Sequence, residues 1–420
     1  MKRILLFLLI SLCAVTMVFA QGGTERQSEK KTKVVFWNGY TGSDRPVLEK
    51  IVENYNSSQD KIEIVMEIMP WDTLFQKLMP AMIAGNAPDL IGISVTRYAE
   101  YAESGKLYAL DDFIASSDKL NTSDLVPGLI RAGNYNGKQY VMPMAFAAEV
   151  MYYNKDMFRS AGLDPENPPQ TIYELQDAWS KLIIKDANGN ITQYAQAIGI
   201  KSTVAMMPIF MWMYGADYIK DGKSVLYSKE AIEAMTMIQN AFKEGVSPVG
   251  LTGQEADNLF SAGKAAIEFN GAWAINGFRG AGIDLGIAEI PSGINGERKT
   301  WGGDSVLAIT KDSKVKEEAW DFIEYWNSKD VQRQWSLGTG APPTRTDMSD
   351  DEELLKGNPD IAYFLKSSEY AELFMADNPK SSRIDEEILV PLYENVTRGT
   401  QSPEEALKAA DSALTTLLNE

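Results

Sequence analysis

Histidine is missing from all 420 residues. That absence excludes Ser–His–Asp and Cys–His catalysis and most zinc sites, because the general base and the commonest zinc ligand are both imidazoles. Cysteine is nearly missing too. The only one, Cys13, lies in an apolar N-terminal stretch, Ile4 to Phe19. That run is too short and too close to the terminus for a membrane span, and no later stretch approaches twenty apolar residues. Basic residues are in the minority, with 40 Lys plus Arg against 58 Asp plus Glu and a net charge of −18. Such an acidic chain disfavours nucleic acid and anionic membranes as partners.

Lys2 and Arg3 precede the apolar run, and Val18-Phe19-Ala20 closes it with a small residue where a signal peptidase reads. Residues 1–20 are therefore expected to be a signal peptide cleaved after Ala20, giving an exported protein, periplasmic or associated with the cell envelope. Lipoprotein processing at Cys13 is the weaker alternative, since Leu12 is bulky where a small residue is usual. Cleavage leaves a chain with no cysteine, hence no disulfides and no thiol chemistry. Residues 21–32 are polar and read as a flexible leader.

The remaining length exceeds what one core usually serves, so two domains are expected. With 45% apolar and 23% charged residues, the chain has the composition of a soluble globular protein. Lys33–Trp37 reads as a strand, and Asn38–Asp44 as a turn-rich loop. A helix follows, capped by Ser43 or Asp44, with Val47, Leu48, Ile51, Val52 and Tyr55 on one face. Ile62–Ile68 alternates as a second strand. A helix opened by Asp72 then presents Leu74, Phe75, Leu78, Met82 and Ile83, with a kink at Pro80, and Asp89–Ile93 is a third strand. Alternation of this kind predicts a parallel α/β sheet, whose ligands sit at the C-terminal strand ends, here Trp37–Asp44 and Ser94–Arg97.

Tyr140–Asn154 combines strand-like flanks with an irregular, alanine-containing middle. It is read as the passage from one α/β lobe to a second, with a ligand space between them. Beyond it, Thr171 with Glu174 starts a helix, Ser228 starts another that Gly245 stops, and Ser402 with Glu405 opens the last. Asp186–Thr192 opens like a calcium loop, but Ala197 occupies the position of the bidentate acid, so an Asn-Gly hairpin turn is the reading. Gly215–Ser224 ends like a phosphate loop, yet its glycine spacing is wrong and Asp217 and Asp221 would repel phosphate.

Trp37, Trp212, Trp273 and Trp301 each stand beside a loop or turn, whereas Trp179, Trp320 and Trp326 fall on apolar helix faces. A flat indole beside glycines suits the C–H face of a sugar. Asn38, Asp304 and Arg345 add hydrogen-bonding partners for hydroxyls. Any one of these tryptophans is equally well a core residue. A carboxylate pair for glycoside hydrolysis is the enzyme alternative, but no local motif singles one out.

Several segments together resemble one family. They are Gly85-Asn-Ala-Pro-Asp89, Tyr152-Tyr-Asn-Lys-Asp-Met-Phe158 with Ala161-Gly-Leu163, Pro168–Leu175, Phe260–Ile267 with Gly271-Ala-Trp273, Trp301-Gly-Gly, and Pro342-Pro-Thr-Arg345. In order and spacing the chain resembles the extracellular solute-binding proteins of ATP-driven (ABC) sugar importers, the group that includes maltose-binding protein.

The resemblance implies an α/β, two-lobed, periplasmic-binding-protein-like fold, each lobe a mainly parallel sheet flanked by helices and joined by hinge crossings. Lobe one would be 33–145 plus 304–341, and lobe two 146–303 plus 342–420. It implies sugar contacts at Trp37, Asn38, Tyr40 and Asp44, at Thr96, at Phe146 in the hinge, and at Trp273. Trp212, Trp301, Asp304 and Arg345 are added from the residues themselves. Ser94-Val-Thr96 lacks the acid that maltose-binding protein uses there, and Phe146-Ala147 stands where that protein has a glutamate. Both departures argue against maltose itself and not against a sugar.

The expected function is capture of a mono- or oligosaccharide and its delivery to the permease subunits of an ABC importer. The protein would be a monomer with no catalytic residues, no metal and no cofactor. A polyol or glycerol phosphoester is the alternative ligand, and an exported carbohydrate-cleaving enzyme the alternative class.

Overall fold

Two five-stranded sheets carry the fold, each built largely from its own part of the chain. The computed structural model describes residues 31–201, 206–303, 305–348, 350–376 and 378–420. Strands of the first sheet run in the order Ile62–Ile68, Thr32–Asn38, Leu90–Ser94, Ser305–Ile309, Val141–Pro143. Only Ser305–Ile309 opposes the direction of its neighbours. Leu90 packs in one apolar cluster with Leu48 and Ile51, while Ile91 and Ile93 pack in another with Leu74 and Leu78. A strand covered on both faces needs apolar residues at successive positions, which is why Leu90–Ile93 shows no polar alternation.

Helix Arg45–Ser58 buries Leu48, Ile51, Val52 and Tyr55, as its spacing predicts. Asp44 stands at its N-cap without a side-chain capping bond. Helix Trp71–Ala84 buries Leu74, Leu78 and Met82 and continues past Pro80 to Gly85, whose φ of 74° ends it. Ile83, expected to face inward, is 71% exposed. The buried stripe steps by four residues, and one further residue turns the side chain roughly 100° away from it.

The second sheet has the order Leu285–Ala288, Val150–Asn154, Ala265–Asn270, Ile191–Ala197, Ile184–Lys185. Contrary to the mainly parallel sheet expected, this one is mainly antiparallel: Val150–Asn154 opposes both neighbours, Ile184–Lys185 opposes Ile191–Ala197, and only Ala265–Asn270 runs parallel to Ile191–Ala197. The hairpin joining Ile184–Lys185 to Ile191–Ala197 is the turn read from Asp186-Ala-Asn-Gly. Asp186 Oδ1 accepts the Asn188 and Asn190 N–H groups at 2.9 and 2.8 Å, and Gly189 takes a φ of 85°. Thr171 accepts the Glu174 N–H as a cap, though the Glu174 carboxylate reaches back to the Gln170 N–H rather than to Thr171. C-terminal helices Val390–Arg398 and Pro403–Leu418 place Leu392, Val396, Leu407 and Leu414 in the same core as Phe210 and Phe269.

Between the sheets the chain crosses where the sequence suggests. It leaves the first sheet at Pro143, forms the short strand Ala147–Ala148, and enters the second sheet at Val150. Ala147–Ala148 pairs antiparallel with Thr300–Gly303, which pairs parallel with Ala371–Leu373. Thr300–Gly303 then runs almost directly into Ser305–Ile309 of the first sheet. A small third sheet thus spans the seam. Gly302 stands where the strands approach most closely: a Cβ on it would lie 2.6 Å from that of Ala371.

A Gly302→Val substitution should therefore force the seam apart and cost about 1–3 kcal/mol. Urea unfolding is the check, and a loss below about 0.5 kcal/mol would show that the seam is not tightly packed.

Candidate functional site

A cavity of about 570 Å³ opens between the two sheets, directly over the seam. Loops at the C-terminal ends of the three parallel strands of the first sheet supply one wall. Thr32–Asn38 leads to Gly39–Asp44, Ile62–Ile68 leads to Trp71, and Leu90–Ser94 leads to Thr96 and Arg97. Such ends collect ligand groups because the strands stop together there and the loops are free to vary. Helix Gly253–Ser261 provides Gln254, Asp257 and Asn258 on the opposite wall, and the turn after Ala265–Asn270 provides Trp273. Trp301 rises from the seam, and Phe374 and Met375 follow its outer strand. At the rim the walls touch, with Ser43 Oγ donating to the Trp273 carbonyl at 2.8 Å.

Glycine makes room for both opposing indoles. A Cβ on Gly39 would lie 2.0 Å from the Trp71 ring, and one on Gly271 would lie 2.1 Å from the Trp273 ring. Trp71 is held edge-on by Tyr40 at 5.6 Å and stacks on Phe75 at 5.8 Å. The guanidinium of Arg97 sits 4.4 Å over the Phe75 ring and pairs with Glu386 at 2.8 Å. Arg97 is the only basic side chain on the described lining, which also carries Asp44, Asp72, Asp257 and Asp385.

Asp44 is 9% exposed, and its Oδ1 has no hydrogen-bond partner. Burial pushes its carboxyl up to about 6, while backbone N–H groups at Asp44, Arg45 and Gly42 offset part of that rise. The result is an unsatisfied acceptor at the cavity wall. Together the lining offers flat aromatic faces, carboxylates, and the hydroxyls of Ser94, Thr96 and Ser305. That is a surface for a polyhydroxylated molecule with apolar C–H faces.

Of the residues named from sequence, Tyr40, Asp44, Thr96, Trp273 and Trp301 line the cavity. Five do not. Trp37 packs beside the core of Leu74, Ile91 and Ile93, because its position in the strand turns it away from the loop. Asn38 is fully buried beneath that loop, where its Oδ1 accepts the Tyr40 N–H at 3.2 Å. Phe146 is tucked into the crossing, where the Met144 and Ala145 N–H groups donate to the Ser305 carbonyl at 3.0 and 3.1 Å. Trp212 meets Phe374 edge-on at 6.0 Å and borders a separate recess of about 290 Å³.

Arg345 is a structural clamp: it donates to the Asn327 carbonyl at 2.7 Å, to Asp347 at 2.9 Å and to Asp124 at 3.2 Å. Asp304 lies outside the described residues. Sequence reasoning missed Trp71 and Asp257, and placed Arg97 in a ligand-bearing loop without naming it as a contact. A signal for Trp71 existed, since it stands three residues beyond the end of a parallel strand. Asp257 carried none, being one of two acids on an amphipathic helix in an acid-rich chain.

The family model described as "Bacterial extracellular solute-binding protein" matches residues 50–362. The maltotriose-binding protein of Pyrococcus abyssi is 27% identical over 84% of this chain and 75% of its own length. The sn-glycerol-3-phosphate-binding periplasmic protein UgpB of Rhizobium meliloti is 22% identical over 76% of each chain. An ABC transporter solute-binding protein from Thermotoga lettingae, solved with α-D-tagatose, superposes with a TM-score of 0.82. It is 24% identical over 92% of this chain and 100% of that one.

The raised carboxyl of Asp44 has a consequence for stability. Its folded pKa of about 6 lies above the ordinary 3.8, so the folded state holds this proton more tightly than the unfolded chain. Stability from this group is greatest below about pH 4 and falls as pH rises through about 6. Asp44→Asn should therefore stabilise the unliganded protein near neutral pH by about 1–3 kcal/mol, with the gain fading toward about pH 4. Urea unfolding at both pH values measures it, and a gain equal at both would contradict the assignment.

Proposed function

The chain belongs to the bacterial extracellular solute-binding proteins, and we propose that it captures a mono- or oligosaccharide between its two walls and delivers it to the permease subunits of an ABC importer. The observation that carries this reading is the pair of glycine-seated indoles, Trp71 and Trp273, on opposite walls of one cavity with an unsatisfied Asp44 acceptor beside them. Indole faces cover the C–H surfaces of a pyranose, and carboxylates accept from its hydroxyls. Ligand bridging the walls favours the closed arrangement over the open one, so binding and hinge closure are one event.

A glycerol phosphoester fits less well. Arg97, the only basic residue on the described lining, is already paired with Glu386 and stands among four carboxylates. A dianionic phosphate placed there would meet more repulsion than attraction. Hydrolysis also fits poorly. Glycosidases hold two carboxyls roughly 5 to 9.5 Å apart on either side of the substrate, whereas Glu268, the neighbour that shares the Asn270 amide with Asp257, is fully buried behind it. Bound sugar is expected back intact.

The protein acts as an exported monomer with residues 1–20 removed. Its lobes are 33–145 with 304–341, and 146–303 with the C-terminal segment. The contacts of Arg345 with Asp124 and Asn327, and of Thr344 with Gln332, favour keeping residues 342–348 with the first lobe.

Tryptophan fluorescence of the mature chain, titrated with mono-, di- and trisaccharides, polyols and glycerol 3-phosphate, tests the reading. A saturable change with a neutral sugar is expected, and saturation by glycerol 3-phosphate alone would overturn it. With the responding sugar, Trp273→Ala should weaken binding about tenfold or more, a loss of about 1.4 kcal/mol. Trp212→Ala should change it less than about twofold. Equal losses in the two variants would remove Trp273 from the site.

A further inference from the structure

The second wall of the cavity rests on acids that sugar contact alone does not explain. Asp257 faces the cavity from helix Gly253–Ser261. Glu268, on strand Ala265–Asn270, lies behind it with no exposed surface. Asn270 links the two, donating through Nδ2 to Asp257 Oδ1 at 2.8 Å and to Glu268 Oε1 at 3.1 Å. Its own Oδ1 accepts the Gly271 N–H at 2.8 Å, tying the pair to the turn that seats Trp273. One amide nitrogen thus holds the two carboxyls side by side. Two ionised carboxylates only accept hydrogen bonds, so a hydrogen bond between them needs a proton on one.

The proton belongs on Glu268. Its Oε2 is buried and accepts from no donor, while Asp257 has the Asn270 amide and access to the cavity. The groups facing Glu268 leave no countercharge for an anion. Asp257 comes from the helix, Glu149 from the crossing, and the Tyr152 phenol from the adjacent strand position, where it donates to the Gly271 carbonyl at 2.9 Å. Glu149 is itself 1% exposed with an unpartnered Oε2. Burial, with Asp257 and Glu149 adding to it, pushes the Glu268 carboxyl well above the usual carboxylate range.

Resting on the sugar-binding reading above, we propose that Glu268 is a positioning residue: as a neutral acid it donates a hydrogen bond to Asp257 and holds that carboxylate in place as an acceptor for a ligand hydroxyl. The specificity element on this wall is then a two-residue relay, Glu268 to Asp257, fixed by Asn270. Loss of the Glu268 proton removes the donor and sets a second negative charge beside Asp257. Affinity must therefore fall as pH rises through the range where Glu268 ionises.

Two arms test this on the mature full chain. The infrared spectrum of the wild type minus that of Glu268→Gln, without ligand near pH 7, should show a protonated carboxyl band, since any contribution of buried Glu149 is common to both. No such band in the difference overturns the proposal, whatever the protein binds. In the second arm, maltotriose is the probe. Glu268→Leu should weaken its binding about tenfold, and Glu268→Gln, whose amide still donates to Asp257, should recover most of that loss. As pH is raised above the range in which Asp44 titrates, wild-type affinity should decline while that of Glu268→Gln stays flat. Should Glu268→Leu fail to fold, this pH comparison still decides. Parallel pH profiles, or a Glu268→Gln affinity as low as that of Asp257→Asn, overturn the proposal. Silence toward every sugar tried would sink the sugar reading and leave the infrared result to decide where the proton resides.

Discussion

At the seam between the sheets, backbone packs against backbone with almost no side chain between. Gly302 and Gly303 face Ala148 and Ala147 across one ladder, and Ala371 closes the other side of Gly302. Larger residues would hold the two sheets apart. With small ones, three strands cross within a narrow strip, and the loops of both sheets converge over it. The cavity, the placing of Trp301 and the opposition of Trp71 to Trp273 all follow from that strip.

Much of this architecture was legible in the residues. Apolar spacing located the strands Thr32–Asn38, Ile62–Ile68 and Leu90–Ser94 and their helices, and the alanine-rich middle of Tyr140–Asn154 marked the first crossing. Local physics governs both features: periodicity reports burial, and small residues report close approach. The site was less legible. The strand ends pointed to the loops, and the family resemblance named Tyr40, Asp44 and Thr96 within them. Trp37 and Asn38 stand close by in sequence, but strand geometry turns Trp37 into the core and leaves Asn38 beneath the loop. Arg345 looked like a ligand-binding cation until its partners appeared: Asp347 is close by in sequence, but Asp124 and Asn327, which complete the clamp, are distant. A residue whose role is set by remote neighbours gives no local signal.

Acids are placed where they weaken the empty protein. Asp44 has an unpartnered oxygen at the cavity wall, and Glu149, Asp257 and Glu268 crowd the opposite side without a countercharge. A buried acceptor without a donor is unfavourable by about 1–3 kcal/mol. On the sugar-binding proposal, a ligand hydroxyl would satisfy the free Asp44 oxygen, and part of the affinity would come from that unmet acceptor. The same acids would disfavour an anion.

Small-angle X-ray scattering of the mature chain, with and without a saturating sugar identified by fluorescence, tests the central claim that ligand closes two lobes about a small-residue seam. The account predicts a smaller radius of gyration with sugar bound. An unchanged radius at saturation would mean that the walls do not move on binding, and the seam would then be a rigid joint rather than a hinge.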